Sequence, residues 1–162
     1  MKNNTIAKVL HLVVVLGIAL TLLALAATPL VMTAYFKSGL GITRTNLDTI
    51  ISAAIYICAI PYVLALFELK KVCKLIASSS AFSRNIPMSL KRISIYAASE
   101  VVLFNMATLI LCYTYDMYLY ALTVLPLIII SMVGASIALL SFVFSSLYEQ
   151  VIEMKEDHDQ TI

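Results

Sequence analysis

The chain has 162 residues, of which 62% are hydrophobic and only 12% charged, with a formal net charge of +2. A soluble domain of that size has no room to hide so much apolar surface, so composition excludes the ordinary globular classes and points to an integral membrane protein. The slight positive balance also excludes a nucleic-acid binder built on a large folded basic face.

Crossing the hydrocarbon of a bilayer takes about 20 helical residues. Four runs are long enough: roughly Val9 to Thr33, Thr49 to Phe67, Ile93 to Tyr113 and Tyr118 to Leu147. They predict an all-α integral membrane four-helix bundle that forms a single domain over residues 1–162. Lys2 and Lys8 precede the first run, and its "ALA" at Ala24 to Ala26 resembles a signal peptidase site. The apolar stretch nevertheless continues from Pro29 to Met32, longer than a signal core, and so predicts an uncleaved first span.

Lys and Arg resist translocation, so their distribution sets the orientation. Lys2, Lys8, Lys70, Lys71, Lys74, Arg84, Lys91, Arg92 and Lys155 fall on one side of the four spans, and only Lys37 and Arg44 on the other. The expected topology is multi-pass in the cell membrane, with both termini and the loop 68–92 cytoplasmic. The tight external hairpin, "YTYDMYLY", has the composition of an aromatic belt at the water interface.

Within 68–92, "ELKKVCKLIASSS" sets Leu69, Val72, Cys73 and Ile76 on one face, which predicts a helix leaving along the membrane surface and ending at the serines. "FSRNIP" follows, with Ser83 or Asn85 to cap a new helix and Pro87 in its first turn. The lysines and arginines here serve as topology determinants and contacts for anionic lipid. Small residues at Gly17, Ala24, Ala53, Ala54, Ala97 and Ala98 allow close helix approach, and Gly134 with Ala138 forms a small-xxx-small pair that also allows a homo-oligomer.

Two polar residues interrupt the third span. Glu100 lies about 10 Å in from Ile93 at 1.5 Å per residue. At a similar depth, counted from the ends of the apolar runs, are Tyr62, Pro61 and Ser141, with His11 slightly shallower. Pro61 cannot donate to the carbonyl of Ile57, which frees an acceptor. No Lys or Arg lies in the membrane core, so Glu100 has only His11 as a charged candidate partner. One reading is a neutral carboxylic acid that ties helices together through Tyr62, Ser141 or a freed carbonyl. The other is a proton or cation site, since intramembrane acids mark such pathways. Asn105 stands about 140° round the helix from Glu100, so it is expected to bond to a different helix.

Enzymatic signals are absent from the sequence. His11 and His158 are the only histidines, too few for a zinc site, and no cofactor or metal is expected. No Ser-His-acid order, glycine-rich phosphate loop or H-E-x-x-H occurs. Cys58, Cys73 and Cys112 fall at different depths and form no C-x-x-C, so neither a bridge nor a redox dithiol is expected.

The layout of four spans, together with "AFSRNIPMSLKRIS" before the third and "KEDHDQTI" at the end, resembles the YoaS-like bacterial membrane proteins, a family defined as a domain of unknown function. Phe82, Ser83, Asn85, Leu90, Lys91, Arg92 and Ile93 match its loop pattern, and Lys155, Glu156, Asp159, Thr161 and Ile162 its C-terminal one. The chain departs at Ala81, where the family has Pro, and at Gln160, where it has Leu. Members are often encoded beside a Cro/C1-type helix-turn-helix regulator, and the resemblance therefore implies a cytoplasmic DNA-binding partner. In the tail "YEQVIEMKEDHDQTI", Val151, Ile152 and Met154 interrupt an acidic sequence, a composition suited to a basic protein. The expectation is a non-enzymatic inner-membrane protein that partners such a regulator without touching nucleic acid itself. The alternative is a small transporter or export/immunity component with Glu100 as its protonatable site.

Overall fold

The computed structural model describes residues 2–34, 46–77, 83–115 and 120–160, with side chains described except at 2–8, 115, 120–123 and 158–160. Four α-helices make up almost all of this: α1 (Lys2–Ala34), α2 (Leu47–Ala77), α3 (Asn85–Tyr115) and α4 (Tyr120–Gln160). Among the described residues there is no strand. Each helix is long and apolar enough to cross a bilayer. A helix meets its own backbone hydrogen bonds, which hydrocarbon requires of any spanning element. The fold is thus an all-α, multi-pass membrane architecture.

Contacts between helices fix their directions. Thr33 Oγ1 donates to Asp48 Oδ2 at 3.0 Å and Tyr56 Oη to the Leu25 carbonyl at 3.0 Å, so α1 and α2 run antiparallel. Arg92 bonds to Glu68 across α2 and α3 at 3.1 Å. Ser145 Oγ donates to the Pro87 carbonyl at 2.8 Å, and Asn105 Nδ2 to Ser131 Oγ at 2.8 Å, which sets α3 against α4. The chain therefore runs up-down-up-down. The start of α1, the end of α2, the start of α3 and the end of α4 share one end, called here the charged end.

Each helix packs on its neighbour in sequence, whereas among the described residues α1 and α4 share no extensive contact. The bundle is consequently left open along one seam. Within the apolar spans the outward faces carry many large hydrophobic side chains, with Leu23, Leu30, Ile95, Leu109, Ile129 and Leu139 among the exposed ones, as lipid contact demands.

Local chemistry explains several details. Pro29 has no N–H to give the Leu25 carbonyl, and the Tyr56 hydroxyl takes that acceptor instead. Asn46 precedes α2 with φ of 98°, in the left-handed region that Asn tolerates better than most residues, and its carbonyl accepts from Ile50 N. Asp48 then sits in the first turn, favourably placed against the helix dipole. Ser83 Oγ accepts from Asn85 N at 3.3 Å and so caps α3, with Pro87 in the first turn where a missing N–H costs nothing.

The stretch 68–92 holds the expected helix before the serines and the expected new helix capped by Ser83. Residues 68–77 continue α2 without a break and Asn85 onward belongs to α3. Hydropathy marks where a helix leaves lipid, not where it stops, and Glu, Leu, Lys and Ala are good helix formers in water as well. For the same reason α4 runs for 41 residues, far beyond the apolar run that ends at Leu147.

Candidate functional site

A cavity of about 740 Å³ has walls from all four helices. Its lining is mostly aliphatic and aromatic, including Leu25, Ile51, Phe104 and Ile130. Among the described residues Glu100 is the one charged side chain of those walls, and Tyr62 and Cys58 share the cavity with it. Thr21, Thr28 and Thr108 also face it, but each donates its hydroxyl to the carbonyl four residues earlier in its own helix, at 2.8, 3.0 and 2.8 Å. Those hydroxyls are therefore spent on the backbone, and the threonines resemble apolar residues to anything inside.

Glu100 is partly buried, and its carboxyl makes no hydrogen bond or ion pair among the described residues; Cys58 of α2 is its electrostatic neighbour. Ser141 and His11 do not join it. With Ser131 bonded to Asn105 and Gly134 against Val101, Glu100 stands level with the turn around Gly134, and Ser141 lies about 10 Å nearer the charged end. His11 lies about 20 Å below Leu25, the α1 residue held by Tyr56 near the level of Cys58. The depth expected for Ser141 was counted from the end of an apolar run. In α4 that run overshoots the level of Ile93, because the Ser145–Pro87 bond places residue 145 beside the first turn of α3. The buried Nδ1 of His11 has no hydrogen-bond partner among the described residues.

Asn105 faces away from the cavity. Its Nδ2 donates to the Val101 carbonyl at 2.7 Å and across to Ser131 Oγ of α4 at 2.8 Å, so it ties α3 to α4.

A second concentration of polar groups occupies the charged end. Arg84 donates from Nη2 and Nε to the two carboxylate oxygens of Glu156, at 2.6 and 3.3 Å. Hydrogen bonding and charge from Glu156, with a smaller contribution from Glu153, hold the Arg84 guanidinium above its ordinary pKa and so charged at every working pH. Arg92 and Lys71 reach Glu68, at 3.1 and 3.8 Å. Beneath these pairs Ile86, Pro87, Ser89, Ser145 and Ile152 are buried.

Of the residues expected to bind a partner, Asn85 is exposed on the first turn of α3, and Lys155 is exposed on α4. Arg92 and Glu156 are engaged within the chain, by Glu68 and Arg84. Phe82, Thr161 and Ile162 lie outside the described residues, and of Asp159 only the backbone is described. On sequence alone, Arg84 is assigned only to topology and lipid contact, and Glu68 has no role. Glu68 carried a signal, with Lys71 three residues on, whereas nothing local joins Arg84 to Glu156.

No curated protein and no solved structure matches the chain. A family model described as "Protein of unknown function (DUF2975)" matches residues 43–162, which takes in α2, α3 and α4 and leaves α1 outside. With most of its length so matched, the chain belongs to the DUF2975 family of proteins of unknown function.

Proposed function

We propose that this chain is a non-enzymatic protein of the bacterial inner membrane whose charged end faces the cytoplasm and binds a helix-turn-helix transcription regulator. The orientation follows from Lys70, Lys71, Lys74, Arg84, Lys91 and Arg92, which all belong to that end. The YoaS-like resemblance of its loop and tail supports the identity of the partner. One structural observation supports the binding surface above the others: α4 continues as helix to Gln160 instead of fraying at the membrane. Ile152 is buried on its inner side, while Glu149, Glu153 and Asp157 follow one another along an exposed ridge beside Val151 and Met154. An acidic ridge with apolar neighbours on a helix suits a basic partner.

Crosslinking in native membranes tests this, comparing the full chain with one ending at Tyr148 and with Glu149→Lys/Glu153→Lys, which keeps Ile152 and Glu156 in place. A DNA-binding protein held by the full chain and released by both variants supports the reading. Recovery of no such protein with the full chain overturns it.

The cavity favours a second reading, a small transporter or export/immunity component that uses Glu100 as a protonatable site. Under that reading Glu100→Gln abolishes proton-coupled flux in proteoliposomes and removal of the tail does not. Under the first, Glu100→Gln preserves function and tail removal destroys it.

A further inference from the structure

We propose that the cavity around Glu100 binds a lipophilic amine, a single ammonium group on a hydrocarbon body, which arrives from the bilayer through the open seam between α1 and α4. The site is the one the transport reading uses, but binding requires no translocation and no cytoplasmic partner.

Volume comes first. About 740 Å³ falls within the range of roughly 300–1,000 Å³ typical of small-molecule sites. Chemistry narrows the occupant. The wall is aliphatic and aromatic, and the threonine hydroxyls facing it are bonded to their own helices. Glu100 and Tyr62 remain as the groups able to select a ligand. Glu149 and Glu153 also make no hydrogen bond or ion pair among the described residues but are exposed, whereas Glu100 is partly buried and faces the cavity.

A carboxylate accepts hydrogen bonds and attracts positive charge, and in a low-dielectric cavity an ammonium meets both needs at once. Tyr62 adds an aromatic ring of the kind that attracts cations. Among the described residues no Lys or Arg lines the cavity, so nothing described there would answer an anion. A bare calcium ion would require about six to eight oxygen ligands, which one carboxylate does not approach. A hydrocarbon chain alone would fill the space and leave Glu100 unanswered. One carboxyl matches one positive charge, which makes the ligand monovalent.

Access follows from the helix arrangement. All four helices line the cavity, yet among the described residues α1 and α4 share no extensive contact, which leaves the wall between them incomplete on the lipid side. Lipophilic amines concentrate in the membrane, and the seam admits them without passage through water.

The test uses the full chain in phosphatidylcholine nanodiscs, which carry no net anionic lipid to trap cations. Binding of tritiated dodecylamine is read by scintillation proximity, with empty nanodiscs subtracted and dodecanol as uncharged competitor. The expected result is saturable binding that Glu100→Gln weakens about tenfold or more, as loss of a charge-assisted contact implies. Ala107→Phe, which fills the cavity from α3, abolishes binding, and Glu149→Gln leaves it unchanged. Helix content and size-exclusion profiles establish that each variant folds; if Glu100→Gln does not, Ala107→Phe and the dodecanol competition decide. Dodecanol competing as well as the unlabelled amine, or Glu100→Gln binding within about twofold of the parent, means that only the hydrocarbon is recognised and overturns the proposal. So does the absence of saturable binding. Retained binding without proton-coupled flux rejects transport alone.

Discussion

Arg84 and Glu156 form a two-pronged clasp between the start of α3 and the far part of α4, with Nη2 at 2.6 Å from Oε2 and Nε at 3.3 Å from Oε1. The planar guanidinium fits a carboxylate in this way, and a lysine could not reproduce both contacts. Beside the clasp Ile152 is buried, so charge and apolar contact together hold α4 down after it leaves the apolar run. If α4 is a docking helix, the clasp fixes the direction in which its acidic ridge points.

Arg84→Glu sets a third carboxylate against Glu153 and Glu156 and should release this part of α4. The expected readout is faster amide exchange over residues 150–157, restored when Glu156→Arg is added. Because both partners are exposed, raising salt above physiological strength should shift the parent toward the variant, the screening length being about 8 Å at 0.15 M. Equal exchange in parent and variant would mean that the buried face alone holds the helix.

Gly134 meets Val101 so closely that a Cβ at 134 would collide with Val101 Cγ2. Val is stiff about χ1 and cannot swing clear without disturbing α3. Gly134→Ala should therefore cost about 1–3 kcal/mol, the usual range for overpacking a tight contact. Gly17 is the control. Nothing lies within 4 Å of the position a Cβ would take there, and Gly17→Ala should be neutral or slightly stabilising. Reversible unfolding in bicelles measures both. A harmless Gly134→Ala would show that α3 and α4 can slide apart freely.

The sequence made the number of helices legible because hydrocarbon imposes long apolar runs, and it singled out Gly134 because small residues are what permit close approach in lipid. Continuation of α2 past Phe67 was legible too, because "ELKKVCKLIASSS" keeps helical spacing up to the serines, and α2 runs to Ala77. Depth was less legible: the apolar run of α4 extends past the level of Ile93, which sets Ser141 nearer the charged end than Glu100. Glu100 and Tyr62 were visible as polar outliers, but the cavity joining them depends on the register of α2 against α3 and on the lack of extensive α1–α4 contact among the described residues. Neither is encoded in the spacing of any one segment.

Asn105 and Ser131 offer a direct measure of polar coupling within lipid. Asn105→Leu removes the only side-chain bond described between these two positions and leaves an apolar group of similar size. The expected loss is roughly 0.6–2 kcal/mol, and Ser131→Ala should cost a similar amount. Combined, the two changes should cost less than their sum, because each already abolishes the same bond. Strict additivity in the double-mutant cycle would show that the contact carries no net energy.

Glu68 and Arg92 connect α2 to α3, and they separate architecture from recognition at a residue that belongs to the family-like loop pattern. The Glu68 side chain is only 14% exposed, whereas Arg92 and Lys71 are 50% and 51% exposed. A largely buried carboxylate that loses its arginine keeps its desolvation cost with only part of its compensation, from Lys71 at 3.8 Å, so Arg92→Ala should destabilise the chain by about 1–2 kcal/mol, a buried-pair effect reduced by the exposure of the arginine. Adding Glu68→Gln should recover part of that loss, because the uncompensated charge is then gone. The recovery also reports on the proposed function: if Arg92 serves structure, the double variant should hold the proposed cytoplasmic partner as the parent does. Loss of the partner in a stably folded double variant would instead assign Arg92 to the recognition surface itself.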